Sequence, residues 1–368
     1  MSTSMKVLHG LSMLLQAASS MVITTHPFAL SKCARACPVA RIGQNRNPKA
    51  RAFSGLHMLS LPPTGTMGIT VFIEDTDAFG IVYNANYLRF LERAVHGLLG
   101  LSRCGQIYRA TGRLLRLESL EKVKFVSPAM LGDDLRVDIS VLGLDPTDRL
   151  HVRASVRREA DKQELWSCES ATLSFRSGLE STPAWPASLP RPGPSDASEA
   201  LSRAEDEADG QRVLAEMNEM CQTESAASSV SVQSDECDAL GMISLHSALR
   251  YFERQRSNCI GGPLALARLQ QDGIQVVVGR ISETHLFSGL GGGHFGDKLA
   301  VRCGIVIRAK HTQVVFDQWL FCEASGRAIA RAHVICLSLN MSTQRFAPIP
   351  FDLEARLLGA KTHESADV

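Results

Sequence analysis

A repeat constrains this chain more than any other feature. The stretch from Asp77 to Arg93 returns 161 positions later as Asp238 to Arg254. Seven pairs are identical: Asp77/Asp238, Ala78/Ala239, Gly80/Gly241, Leu88/Leu249, Arg89/Arg250, Glu92/Glu253 and Arg93/Arg254. Five further pairs exchange one apolar residue for another. Recurrence at a fixed offset marks two copies of one structural unit. The remaining differences show that the copies are no longer equivalent.

The sequence around each copy predicts the same order of elements. Ile69 to Glu74 alternates as a strand with one buried face. Tyr87, Leu91, Ala94, Leu98 and Leu101 then recur at helical spacing, and the helix is expected to end near Gly105. Alternating runs follow at Lys122–Val126, Leu135–Leu142, Leu150–Val156 and Leu165–Phe175. In the second copy a helix over about Leu245–Cys259 stops at Gly261-Gly262-Pro263. Strands follow near Gln275–Glu283, Leu299–Ile307, Gln313–Cys322 and Ala328–Leu339. One helix followed by consecutive strands predicts an α+β layer with an antiparallel sheet, not alternating βαβ units.

The flanking segments differ in composition. Residues 1–73 hold seven Lys or Arg and no acid, which reads as a targeting leader, and residues 1–66 are set aside from the fold. A plastid is the first expectation for its address, a mitochondrion the second, and a tail without an address is the bland alternative. Between the copies, 177–227 begins with five prolines and carries ten acids, the pattern of a solvated tether. Val213, Leu214, Met217 and Met220 within it are spaced for one side of a short helix. The domains are therefore expected at 67–176 and 228–340, with a peripheral tail at 341–368.

Net charge +1 with 21% charged residues offers no footprint for nucleic acid. No apolar run is long enough to span a bilayer. Ten cysteines are scattered without CxxC or zinc spacing, so they read as reduced, buried thiols, and neither a metal nor another cofactor is expected.

Asp77 and Asp238 are the candidates for chemistry. Each follows a strand, precedes a helix and stands three residues before a glycine, so its carboxylate faces helix N–H groups. The bland reading is a cap or an Asx turn, which suits Asp75. Asp77 stands too far ahead of the helical stripe for a simple cap. Gly80 and Gly241 supply positive φ or close approach of a ligand. Glu92 and Glu253 lie over two turns into their helices and read as structural, while Arg89 and Arg250 read as solvated or ion-paired.

The run Glu74-Asp75-Thr76-Asp77, Gly80, Val82-Tyr83, Asn86-Tyr87 and Glu92-Arg93-Ala94 resembles the 4-hydroxybenzoyl-CoA thioesterase family of hotdog-fold acyl-CoA thioesterases. Lys124-Phe125, Pro128-Ala129 and Gly132-Asp133 resemble that family's next strand and turn. The resemblance implies a double hotdog, each unit a long helix wrapped by a curved antiparallel sheet. It also implies a pseudo-dimer within one chain, with room for a further homo-oligomer. The implied substrate is an acyl-CoA or an acyl-carrier protein. The implied catalytic residues are Asp77 and Asp238, acting as nucleophile or general base. The resemblance likewise implies Gly80, Tyr83, Asn84, Asn86 and Gly241 as the substrate-binding surroundings, with the helix-start amide near Asn84 as the oxyanion donor.

The second copy departs from that pattern: Tyr83, Asn84, Asn86 and Tyr87 become Ser244, Leu245, Ser247 and Ala248. A non-catalytic thioester-binding or assembly module is the rival reading, and hydratase chemistry ranks behind both. The run Gly291 to Gly296 matches GxGxxG, but a strand pattern follows it, so it reads as a loop rather than a dinucleotide fingerprint.

Overall fold

The computed structural model describes residues 61–77, 80–177, 185–191, 228–287 and 293–358. They fall within one compact unit that begins at Leu56. The leader up to residue 60, most of the tether with its Val213–Met220 stripe, and the last residues of the tail lie outside the described residues.

Strand β1 (Thr64–Thr70) opens the first half, followed by a 3-10 turn at Ile73–Asp75. The strand thus begins within the segment set aside as leader and ends before the expected Glu74. Helix α1 (Asn86–Leu99) buries Leu88, Phe90, Leu91 and Val95. Gly100, at φ +88°, ends it, and a separate helix α2 (Leu101–Thr111) follows. Leu101, expected to close the apolar stripe, is therefore 74% exposed. Strands β2 (Leu114–Phe125), β3 (Asp134–Leu144), β4 (Leu150–Arg158) and β5 (Glu164–Arg176) complete this half.

The second half repeats the order. A short β6 (Ser228–Ser231) and a 3-10 turn at Ser234–Glu236 precede α3 (Leu245–Ile260) and α4 (Gly262–Gln271). Strands β7 (Ile274–Leu286), β8 (Lys298–Arg308), β9 (Gln313–Cys322) and β10 (Ala328–Asn340) follow. Gly293 and Gly296, both at positive φ, lead into β8 and not into a helix, as the strand pattern after this run predicts.

The described strands form one antiparallel sheet in the order β1-β3-β4-β5-β2-β7-β10-β9-β8-β6. The halves join where β2 pairs with β7, with Glu121 opposite Glu283. Buried side chains from both helices and both sets of strands form one continuous core. Burying a Leu or Phe contributes about 1.5–3 kcal/mol, so this shared core resists separation of the halves. The architecture is an α+β double hotdog.

Two segments expected at the surface pack instead. Trp185 meets Phe175 edge-on at 5.6 Å, and its backbone N–H donates to Asp148 Oδ2 at 3.0 Å, so this piece of the tether lies on the first half. In the tail, β11 (Arg345–Phe346) pairs with β10, and α5 (Phe351–Leu357) buries Leu353 and Leu357. Periodicity is too short-lived in either segment to reveal this.

Candidate active site

Each repeated Asp-x-x-Gly forms the same turn. In the first, Thr76 bridges to Val82, the Asp77 N–H donates to Ile81 O (2.9 Å), and the Gly80 N–H donates to Asp77 O (3.0 Å). In the second, Cys237 bridges to Ile243, the Asp238 N–H donates to Met242 O (2.8 Å), and the Gly241 N–H donates to Asp238 O (2.9 Å). Gly80 at φ +72° and Gly241 at φ +75° occupy the left-handed region that a side chain disfavours. A Cβ on either glycine would meet nothing within 4 Å, so the constraint is conformational and the space above each turn is open.

The aspartates fold back over their turns. The Ile81 N–H lies 3.3 Å from Asp77 Oδ1, while Leu240 and Met242 N–H groups lie 2.8 and 3.4 Å from Asp238 Oδ1. Asp77 remains exposed, whereas the Asp238 side chain is 14% exposed. Asp75 is buried and accepts the Phe72 N–H at 3.2 Å, a local turn-closing role.

The helix starts are anchored alike. Asn86 Nδ2 donates to Asp75 O (2.9 Å), and at the equivalent position Ser247 Oγ donates to Glu236 O (2.7 Å). Among the described residues, no hydrogen bond uses the Asn84 or the Leu245 N–H. Such unpaired donors are intrinsic to helix N-termini and suit a developing negative charge.

The two turns receive different groups from across the pseudo-dimer. Asn84 Nδ2 donates to Glu253 Oε2 at 2.9 Å, and the Tyr83 hydroxyl also hydrogen-bonds Glu253. Burial, then the Glu253 charge, holds the Tyr83 phenol well above its ordinary range. Arg256 stands 3.7 Å from Glu253 and is itself held by Gln318 Oε1 at 2.6 Å. Asn86 Oδ1 and His246 Nε2 meet at 3.0 Å between the helix starts. Burial, aided by Arg89 and Arg250, pushes His246 down to about 3.

At the second turn, Arg116 Nε lies 2.7 Å from Asp238 Oδ2. Glu92 comes from α1, with its Oε1 3.4 Å from the Leu117 N–H. Glu92 keeps partial solvent access, yet desolvation pushes its carboxyl up to about 7. Leu117 N–H and Arg116 oppose that shift, and Asp238 adds to it. A surface depression of about 640 Å³ lies nearby, lined by His96, Cys104, Tyr108, Arg109, Leu114 and Leu115 among others. Tyr108 ties it to the second turn by donating to Ala239 O at 3.1 Å.

The structure therefore brings Asp77, Gly80, Tyr83, Asn84 and the start of α1 together, and sets Asp238 and Gly241 in a separate turn. Asn86 is only 5% exposed and has both ends of its amide engaged within the protein. Tyr87 stacks on Trp166 at 5.9 Å inside the core. Glu92 and Glu253 read from sequence as structural; Glu253 crosses to Tyr83 and Asn84 of the other half, and Glu92 bonds Leu117 N–H within electrostatic reach of Asp238. Their identity in the repeat was the available signal. Arg116 was not singled out, and the cue was an arginine inside the apolar run Leu114-Leu115-Arg116-Leu117.

Among the described residues no group of three or more His, Cys, Asp or Glu is placed to hold a metal. No described helix is long and apolar enough to cross a membrane.

The fold and its first turn have counterparts among known proteins. Residues 71–193 match the model of the thioesterase-like superfamily. The acyl-CoA thioester hydrolase YbgC of Escherichia coli O157:H7 is 30% identical over 91 residues, covering 25% of this chain and 68% of that protein. The 1,4-dihydroxy-2-naphthoyl-CoA hydrolase of Thermosynechococcus vestitus is 34% identical over 94 residues, 24% of this chain and 62% of that protein. A solved structure of a candidate oleoyl thioesterase from Lactobacillus plantarum has a TM-score of 0.52 at 10% identity. It covers 75% of this chain and 95% of its own, and the likeness is one of fold.

Proposed function

Because the chain belongs to the thioesterase-like superfamily and is a thioester hydrolase, we propose that it cleaves acyl thioesters at the turn carrying Asp77. The finer assignment, to the 4-hydroxybenzoyl-CoA thioesterase family, rests on the run from Asp75 to Ala94. One observation carries the choice of turn: an exposed carboxylate sits in the turn that leads into a helix start whose Asn84 N–H has no partner among the described residues.

The chemistry follows from those groups. Asp77 either takes a proton from the attacking water or attacks the thioester carbon itself; both routes use the same exposed carboxylate. As the carbonyl becomes tetrahedral, its oxygen gains negative charge and is met by the Asn84 amide at the positive end of α1. The open face of Gly80 lets the thioester approach the backbone. Glu253, from the other half, fixes the Asn84 and Tyr83 side chains by hydrogen bonds. Asn86 is a positioning residue on this reading, since its amide joins the two helix starts.

The substrate class is an acyl-CoA, with an acyl-carrier protein as the second donor to test. The acid-free leader supports an organellar address, plastid before mitochondrion, readable by fusing residues 1–66 to a fluorescent protein. The decisive experiment measures thiol release by the full chain from acyl-CoAs of graded chain length and from the matching acyl-carrier proteins. Asp77→Asn should lower the rate roughly 10²–10⁴-fold if the carboxylate is the base. Saturable acyl-CoA binding without thiol release would overturn hydrolysis, and unchanged turnover in Asp77→Asn would overturn the role of Asp77.

A further inference from the structure

We propose that Arg116 locks the second turn, so that each chain carries one working centre and Asp238 serves as an anchor of the pseudo-dimer. The proposal rests on the hydrolytic reading above, but its experiment fails separately from that reading.

Three contacts place the Arg116 guanidinium inside the second turn. Its Nε meets Asp238 Oδ2 at 2.7 Å, its Nη2 donates to Ile243 O at 2.7 Å, and its Nη1 lies 3.6 Å from Met242 Sδ. The arginine side chain is 4% exposed. With Leu240 and Met242 N–H groups on Oδ1, both oxygens of Asp238 are engaged. To accept a proton from water, this carboxylate would have to part from a buried cation whose one salt bridge among the described residues is to Asp238. Breaking one side of such a pair is strongly unfavourable, because the cation is left buried and unpaired. A carboxylate held in this way serves to fix the turn.

The first turn has no counterpart of this clamp from the joining strand. The β2–β7 pairing is centred on Glu121 and Glu283, which sets the equivalent of Arg116 within Val276-Val277-Val278. That stretch carries no cation. Tyr108 fastens the second turn further through Ala239 O. Glu92 stands beside the ion pair, and burial pushes its carboxyl up to about 7, with Arg116 opposing that shift and Asp238 adding to it. The two joining strands thus differ in what they offer the turns: Arg116 on one, valines on the other.

The test uses the full chain and S-dodecyl-CoA, a thioether that binds like an acyl-CoA and is not cleaved. Calorimetric titration should give one equivalent bound per chain. Asp238→Asn and Arg116→Val should retain hydrolysis within about 2-fold of the parent while their unfolding midpoints fall, as expected for loss of an anchoring pair. Leu115→Trp, which fills the depression beside the second turn, should leave binding unchanged. Two equivalents bound, or a loss of hydrolysis in Asp238→Asn matching that in Asp77→Asn, would overturn the lock. So would loss of S-dodecyl-CoA binding in a folded Leu115→Trp variant. If Arg116→Val does not fold, Asp238→Asn and the stoichiometry still decide. If the parent cleaves no thioester, hydrolysis fails, but the count of S-dodecyl-CoA sites still tests the lock.

Discussion

Glu92 offers a stability prediction whose sign and size both come from its surroundings. Its carboxyl is pushed up to about 7 in the folded protein, against 4.5 for the free group, and burial is the main cause. Below pH 4.5 the group is protonated in both states and its neutral form suits the fold. As pH rises toward 7, the unfolded chain releases the proton first, so the folded state loses its advantage progressively. A tenfold change in proton affinity is worth about 1.4 kcal/mol, which sets an upper figure of roughly 3.5 kcal/mol. The partial solvent access of the side chain lowers that to about 2–3 kcal/mol. Glu92→Gln keeps an acceptor for the Leu117 N–H and cannot ionise. It should match the parent at pH 4.5 and exceed it by about 2–3 kcal/mol at pH 8, with most of the divergence between pH 5 and 7. Urea unfolding of both proteins across that range measures the difference, in which the titration of other carboxylates cancels. Because Glu92 attends the locked turn, hydrolysis should persist in the variant. A difference that stays flat from pH 5 to 8 would refute the reasoning.

Two further perturbations separate conformation from chemistry. Gly80→Ala and Gly241→Ala should each cost about 1–2 kcal/mol, since both positions are left-handed and neither Cβ meets a neighbour within 4 Å. Thermal melts should move alike for the two, while thiol release should fall only for Gly80→Ala; equal loss of activity would show both turns at work. Tyr87→Ala removes a ring stacked on Trp166 and edge-on to Phe90 and Phe125, so it should destabilise the first half by about 3–5 kcal/mol. A melt unchanged from the parent would show that this aromatic cluster does not support the fold.

The repeat made much of this architecture legible. Asp77, Gly80, Asp238 and Gly241 mark the two turns, and the phased strands mark a sheet after each helix. What periodicity missed has local physical causes. The apolar stripe of α1 runs on to Leu101 in sequence, but Gly100 adopts φ +88° and turns Leu101 out to solvent. Helix α5 contributes only Leu353 and Leu357 to the core, too few for a recognisable stripe. The cross-half partners are harder still, because a sequence pattern states which face a residue shares and not which element meets it. Glu253 reaches Asn84 across 169 positions, and Arg116 reaches Ile243 across 127.

That the two halves belong to one chain is what allows their turns to diverge. In a symmetric dimer of identical subunits every substitution appears on both sides of the axis. An arginine at the position of Arg116 would then enter both turns and engage both aspartates. Here the equivalent strand positions are Val276-Val277-Val278, so the cation enters one turn only. The same freedom lets Asn84 face Glu253 while Leu245 stands at the corresponding helix start. Asn86 and Ser247, by contrast, differ in residue yet each bonds the carbonyl eleven residues upstream, at Asp75 and Glu236. Groups that face the turns have diverged, while these bonds that position the helix starts are kept. A retired site retains its aspartate and glycine on this argument because Asp238 holds Arg116 and Gly241 holds the turn, and neither purpose requires a substrate.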